Sequence, residues 1–87
     1  MFMNLNAELL QAVGDFYNKI KTKEYSYLDF DSDTKEFVEL RSKIMDEYPG
    51  EPMFNKLIYH TSDFKKSYEE MRIACGEMIS LIMDKAL

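Results

Sequence analysis

Apolar side chains recur at intervals of three and four residues along much of the chain, and this interval is the period of an α-helix. The first such stripe predicts a helix over about residues 5–21. Its members are Leu9, Val13, Phe16 and Ile20. Asn4 or Asn6 can cap this helix, because an asparagine side chain accepts a hydrogen bond from a backbone N–H group of the first turn.

The longest stripe lies in the C-terminal part of the chain, where steps of four and three alternate over nearly three heptads. It follows three residues that can cap a helix: Thr61, Ser62 and Asp63. The members of the stripe are Phe64, Tyr68, Met71, Cys75, Met78 and Ile82. Further apolar residues lie outside it: Ile73, Ala74, Ile79, Leu81, Met83 and Leu87. A helix that is apolar over more than one stripe is typically central in a bundle or buried in an oligomer.

The middle of the chain predicts a loop followed by a second helix. Residues 25–33 combine aromatic and acidic side chains without a helical period, which favours a loop that packs its rings across the core. Asp33 and Glu36 have the spacing of a capping box, so we expect the second helix to begin there. Its apolar stripe consists of Phe37, Leu40 and Ile44, with Val38 and Met45 beside it.

The second helix is expected to end near Tyr48, because Pro49 and Gly50 form a strong stop signal. Pro52 suits the first turn of a helix. A short third helix is therefore predicted from there to about His60, with apolar residues Met53, Phe54, Leu57 and Ile58.

These elements predict an all-α fold, a small compact bundle of three to four helices with a long C-terminal helix. The length of 87 residues suits a single helical domain over residues 1–87. No segment approaches the roughly 20 apolar residues that span a bilayer, so no membrane association is expected. The first residues lack the basic and apolar regions of a secretory signal, and a single cysteine cannot form an intramolecular disulfide. A cytoplasmic location is therefore expected.

Few residues suit metal binding. Asp29, Asp31 and Asp33 alternate as at the start of an EF-hand loop, which requires Gly at its sixth position and Glu at its twelfth. Those positions hold Thr34 and Leu40. We therefore expect no calcium site and no other metal centre, and the acids fit a loop that leads into a helix N-terminus.

Catalytic chemistry is also not expected. His60 is the only histidine and has no motif around it. Cys75 lies on the apolar stripe of the last helix, where a free cysteine behaves as a small buried hydrophobic residue. A nucleophilic pair of the two would require the fold to bring them together. The expectation is a protein that is not an enzyme, with no catalytic residue and no cofactor.

Acidic residues are concentrated in one third of the chain. Residues 24–51 hold nine acids and three bases, a net charge of −6, whereas the whole chain carries −5. Clustered carboxylates attract a basic partner, and interleaved aromatic rings supply contact area. The predicted partner-binding residues are Tyr25, Tyr27, Asp29, Phe30, Asp31, Asp33, Glu36, Glu39, Asp46, Glu47 and Tyr48. The alternative is an acidic face that is only solvated.

The stretch over residues 36–59 resembles the immunity proteins of colicin nucleases. In that family an acidic second helix is followed by Pro and Gly and then by a short tyrosine-bearing helix ahead of the last helix. The similar residues are Glu47, Pro49, Gly50 and Leu57-Ile58-Tyr59. The spacing departs after Gly50, His60 stands where the family has a second Tyr, and the last helix lacks the family's ending. The resemblance covers about a quarter of the chain and does not assign the family.

In composition the chain is similar to phage-encoded inhibitors, including anti-CRISPR proteins, and this likeness implies occlusion of a nucleic-acid-binding site. We expect a non-enzymatic inhibitor that binds a basic protein, such as a nucleic-acid-binding enzyme. Direct nucleic-acid binding is not expected of a net-acidic chain, because phosphate is bound by Lys and Arg. The alternative is a structural protein that forms a homo-oligomer through residues 73–87, where Gly76 permits close approach of two backbones.

Overall fold

Asn6 caps the first helix, because its Oδ1 accepts a hydrogen bond from the backbone N–H of Leu9 at 3.0 Å. The computed structural model of the chain describes residues 6–23, 28–55 and 63–86. Helix α1 (Ala7–Ile20) buries the predicted apolar stripe against the rest of the bundle. Its fully buried members are Val13, Phe16 and Ile20.

Helix α2 (Phe30–Glu47) has its N-cap at Asp29, four residues before the N-cap that the capping box predicts. The backbone N–H of Asp33 donates to the carbonyl oxygen of Asp29 at 2.8 Å, so Asp33 lies inside the first helical turn. The predicted capping box is therefore wrong, and the chain is helical, not a loop, from Phe30 onward. The ring of Phe30 explains the earlier start, because it packs edge-on against Phe64 with centroids 4.3 Å apart.

Helix α2 ends where the sequence predicts. The backbone N–H of Tyr48 donates to the carbonyl oxygen of Ile44 at 2.8 Å, and the chain then turns. Gly50 in this turn has a φ of 82°, a left-handed conformation that a residue without Cβ adopts at little cost. The predicted third helix is a 3₁₀ helix over Pro52–Asn55, and its remaining residues, 56–60, lie outside the described part of the chain.

Helix α3 (Phe64–Lys85) is the longest element, and Asp63 caps it by accepting a hydrogen bond from the backbone N–H of Lys66 at 3.0 Å. Its predicted stripe faces the interior, and Phe64 is half-buried at the edge of the core. The other five members of the stripe are fully buried: Tyr68, Met71, Cys75, Met78 and Ile82. Helix α3 packs mainly against α1 and less extensively against α2.

The all-α prediction is confirmed for the described residues, which contain three α-helices, one 3₁₀ helix and no strand. The buried side chains of the three α-helices form one apolar core. Helix α2 contributes Phe30, Phe37, Leu40 and Ile44 to this core. In the ranges that the structure describes, no helix has the length and apolar character needed to cross a lipid bilayer.

Candidate functional site

Asp33 is the centre of a hydrogen-bonded cluster inside the bundle, because its side chain is only 1% exposed. Tyr68 donates its hydroxyl hydrogen to Asp33 Oδ2 at 2.8 Å, and Lys23 Nζ donates to the same oxygen at 2.7 Å. Lys19 Nζ lies 3.7 Å from Asp33 Oδ1. Such partners are required, since burial of an isolated charge is strongly unfavourable.

The two lysines also bind carboxylates at the surface. Lys19 Nζ donates to Glu36 Oε1 at 2.6 Å, and Lys23 Nζ donates to Asp29 Oδ2 at 3.1 Å. The hydrogen bond to Glu36 raises the pKa of Lys19 above its usual value. Burial acts to lower the pKa of Lys23, but the hydrogen bonds to Asp33 and Asp29 outweigh it, and that pKa is also raised. We call Lys19, Lys23, Asp29, Asp33, Glu36 and Tyr68 the ion-pair cluster.

Arg72 of α3 connects the cluster to the end of α1. Its Nη1 donates to the carbonyl oxygens of Ile20 at 3.4 Å and Lys23 at 3.0 Å. The last carbonyl groups of a helix have no partner within the helix, and a cation there also complements the helix dipole. The ion-pair cluster and Arg72 therefore join the end of α1, the start of α2 and the first half of α3.

Four of the predicted contact residues have a structural role in this part of the bundle. Phe30 is 5% exposed and Asp33 1%, so neither lies on a surface that a partner can reach. For Phe30 the cause is core packing, and for Asp33 it is the bonds to Tyr68 and Lys23. The carboxylates of Asp29 and Glu36 are exposed in part but are bound to lysines of this chain.

The other predicted acids of α2 are exposed and form no ion pair with any residue that the structure describes. They are Asp31, Glu39, Asp46 and Glu47. Val38 and Met45 of the same helix are exposed as well, with 40% and 37% of their surfaces accessible. Their spacing of seven residues places these two apolar side chains on the same side of the helix. We call these four acids and two apolar residues the outer face of α2.

Two lysines of α2, Lys35 and Lys43, are exposed alongside the outer face and likewise form no ion pair within the described ranges. Together with the four acids they give a net charge of −2, which is much smaller in magnitude than the −6 of the whole segment. The third base, Arg41, contacts Phe54 of the 3₁₀ helix. Its Nη2 donates to the carbonyl oxygen of Phe54 at 2.6 Å, and its guanidinium lies 5.6 Å from the centre of the Phe54 ring.

A shallow depression of about 150 Å³ adjoins the outer face between α1 and α2. Apolar Phe16 and Leu40 contribute to its lining, together with the charged side chains of Glu36, Glu39 and Lys43. Of these charged groups, Glu36 is bound by Lys19, whereas Glu39 and Lys43 form no ion pair within the described residues.

One of the three tyrosines predicted to contact a partner lies in the described part of the chain. Tyr48 is half-buried against the core at the end of α2, and Tyr25 and Tyr27 lie outside the described residues. Val38 and Met45 supply exposed apolar area on α2. Their position beside the buried stripe, seven residues apart, is the sequence signal that identifies them.

The predicted core position of Cys75 is confirmed. Its side chain is fully buried, and burial raises the pKa of the thiol to about 12. The thiol is therefore protonated and unreactive at neutral pH. Among the described residues, no group of three His, Cys, Asp or Glu side chains is placed to hold a metal ion.

Comparison with known proteins identifies no relative, since no protein-family model, no curated protein sequence and no solved structure matches the chain. What the protein does must therefore be inferred from its own residues.

Proposed function

We propose that the protein is a non-enzymatic protein-binding module that uses the outer face of α2 to bind a basic surface of another protein. One observation carries the proposal: α2 exposes Val38 and Met45 together with four carboxylates that have no ion-pair partner in the described chain. Apolar side chains supply area that loses water on binding, and the carboxylates select a partner that presents Lys or Arg.

The internal ion pairs support this division of roles. Acids that hold the helices together, such as Asp33, are bound by lysines of the chain itself. The acids of the outer face make no comparable contact, so their contribution to the free energy of unfolding is small. No ion pair within the described residues offsets these acids, so they are available for long-range attraction of a basic partner, which raises the rate of association.

The partner that fits this surface best is a basic nucleic-acid-binding protein, such as a nuclease. Its Lys and Arg side chains bind phosphate, and the carboxylates of α2 compete for the same side chains. The protein then acts as a stoichiometric inhibitor that occludes the nucleic-acid site, as phage-encoded anti-defence proteins and nuclease immunity proteins do. We place this action in the cytoplasm, where a lone thiol remains reduced.

A pull-down from host lysate tests the proposal. The immobilised protein is expected to capture a basic protein that is released as salt rises, because ionic contacts at a surface are screened. Purified, that partner is expected to lose its binding to labelled DNA or RNA when one equivalent of the protein is added.

A matched pair of variants identifies the surface. Glu39→Lys with Asp46→Lys reverses two charges of the outer face, and Glu8→Lys with Asp15→Lys makes the same change of net charge on exposed positions of α1. The α2 variant is expected to lose the partner and the α1 variant to retain it. Equal capture by both variants, with both folded by circular dichroism, would contradict the assignment of the outer face.

A further inference from the structure

The exposed side of α3 carries apolar residues that the core does not use. Ile73 is 59% exposed and Met83 43%, whereas Ala74 and Leu81, also predicted as excess apolar surface, are buried in the bundle. An open groove of about 570 Å³ runs along this side of α3 and includes Ile73 and Gly76 in its lining.

Charges are distributed unevenly along the same side. Lys65 and Lys66 lie at its N-terminal end with one exposed acid, Glu69, a net charge of +1, and Glu77 and Asp84 lie towards its C-terminal end, a net charge of −2. None of these five side chains forms an ion pair within the residues that the structure describes. A surface with a positive end and a negative end is complementary to a copy of itself that runs in the opposite direction.

We propose that this side of α3 binds the same side of α3 in a second copy of the chain, with the two helices antiparallel. A twofold axis passes between residues 74 and 75. The numbers of two residues that face each other across this axis therefore add up to 149. Such an interface is isologous, since the same patch of both copies is used. A parallel arrangement would instead place lysine against lysine and aspartate against aspartate.

This register satisfies both the shape and the charge of the surface. Ile73 of one copy faces Gly76 of the other, where a Cβ would meet no atom within 4 Å, so there is room for the isoleucine side chain. Lys65 faces Asp84 at each end of the contact. Glu69, the remaining exposed acid of the first turns, faces Ser80, so it meets no second carboxylate.

The inference is independent of the proposed function, because the outer face of α2 shares no residue with this side of α3. A contact between two single helices buries less area than the roughly 1,200 Å² of stable interfaces, so we expect a dimer that forms only at high concentration. Either surface can therefore fail its test without affecting the other.

Sedimentation equilibrium of the full chain tests the dimer. The protein is expected to be monomeric at about 5 µM and partly dimeric at about 500 µM, as a dissociation constant of about 0.5 mM implies. Ile73→Glu is expected to remain monomeric throughout, whereas Val38→Glu, the same change on the outer face of α2, is expected to dimerise normally. A wild-type protein that is monomeric at the highest concentration would overturn the proposal.

Charge reversal tests the register. Lys65→Asp alone or Asp84→Lys alone is expected to weaken dimerisation about tenfold, because each substitution occurs twice in a symmetric dimer. The chain with both substitutions is expected to regain the wild-type affinity, since the pair is restored with its charges exchanged. If the double variant lost as much dimerisation free energy as the two single variants together, this pairing would be ruled out.

Disulfide formation tests the direction of the helices. A mixture of Glu69→Cys and Ser80→Cys chains is expected to form the mixed disulfide, whereas Glu69→Cys alone is not, because its two copies would lie about 16 Å apart along the helix axis. Buried Cys75, whose pKa is raised to about 12, does not compete. Rapid cross-linking of Glu69→Cys to itself would show a parallel contact and overturn the proposal.

Discussion

Helix α2 and its N-cap carry two sets of acids that are used in different ways. At its N-terminal end, the carboxylates of Asp29, Asp33 and Glu36 are bound by the lysines at the end of α1. In its C-terminal half, Asp46 and Glu47 are exposed and form no ion pair within the described chain. The first set of acids holds three helices together, and the second set is available to another molecule.

This difference shows that the net charge of a segment is not the charge of a surface. The −6 of residues 24–51 counts Asp33, which is buried, and two further acids that Lys19 and Lys23 neutralise from outside the segment. What remains exposed and without an ion pair in the described residues is a smaller acidic area on a helix that also exposes apolar residues. Substitutions can therefore remove acids of either set separately.

The largest effect is expected from Asp33→Ala. Removing the carboxylate takes away the shared acceptor of Lys23 and of the Tyr68 hydroxyl. Lys23 is 20% exposed and keeps Asp29, so the loss is that of two hydrogen bonds to a charged group, about 3 kcal/mol in the free energy of unfolding. Urea unfolding followed by circular dichroism measures the loss. Asp46→Ala is the matched control, with an expected change within about 0.5 kcal/mol; equal losses would remove the distinction between the two halves.

A smaller effect is expected from Tyr68→Phe. The substitution removes one donor to Asp33 Oδ2 but leaves Lys23 in place at 2.7 Å. A hydrogen bond to a charged group contributes about 2 kcal/mol, so the free energy of unfolding should fall by that amount. The reference is Tyr17→Phe, which changes an exposed tyrosine of α1 and should have no measurable effect. If Tyr68→Phe were also neutral, the hydroxyl would not stabilise Asp33.

Alkaline pH is expected to weaken the ion-pair cluster. The pKa values of Lys19 and Lys23 are raised above 10.5 in the folded chain. Their contribution to stability is therefore complete below the unfolded-state value and is lost as the pH rises through the folded-state pKa. Thermal unfolding between pH 8 and pH 11 should show a decline above about pH 10.5 that is smaller in Lys23→Met. An equal decline in both proteins would exclude a role for Lys23.

The smallest effect is expected from substitutions on the outer face. Cys75 serves as the reporter, because burial raises the pKa of its thiol to about 12 and keeps it unreactive in the folded chain. Glu39→Gln with Glu47→Gln should leave the rate of thiol labelling at pH 8 unchanged, while Asp33→Ala should increase it through more frequent unfolding. Rapid labelling of the outer-face variant would mean that these acids also stabilise the bundle.

Local sequence patterns predict the helices and their caps but not the ion-pair cluster. The stripe of α3 and the caps Asn6 and Asp63 depend on neighbours within a few positions, and the structure confirms them. The burial of Asp33 depends on Tyr68, 35 residues away, which no local pattern encodes. The same aspartate also fits a capping box, and the tertiary contact prevails over that local signal.

The surface residues of α2 are predictable only in part for the same reason. The helical period predicts that acids such as Asp46 are exposed. Which acids are neutralised depends instead on the positions of Lys19 and Lys23 at the end of α1. The seven-residue spacing of Val38 and Met45 is visible in the sequence, yet their exposure depends on how α2 lies against α1 and α3.

Two double-mutant cycles test the division of α2 most directly. One cycle combines Asp33→Asn with Lys23→Met, and the other combines Glu39→Gln with Lys43→Met, a pair of exposed side chains four residues apart. Each cycle yields the coupling free energy of its pair from urea unfolding. The predicted coupling is above about 1 kcal/mol for Asp33 and Lys23 and no more than about 0.5 kcal/mol for Glu39 and Lys43. Equal couplings would contradict the account, because the two sets of acids would then contribute alike to the fold.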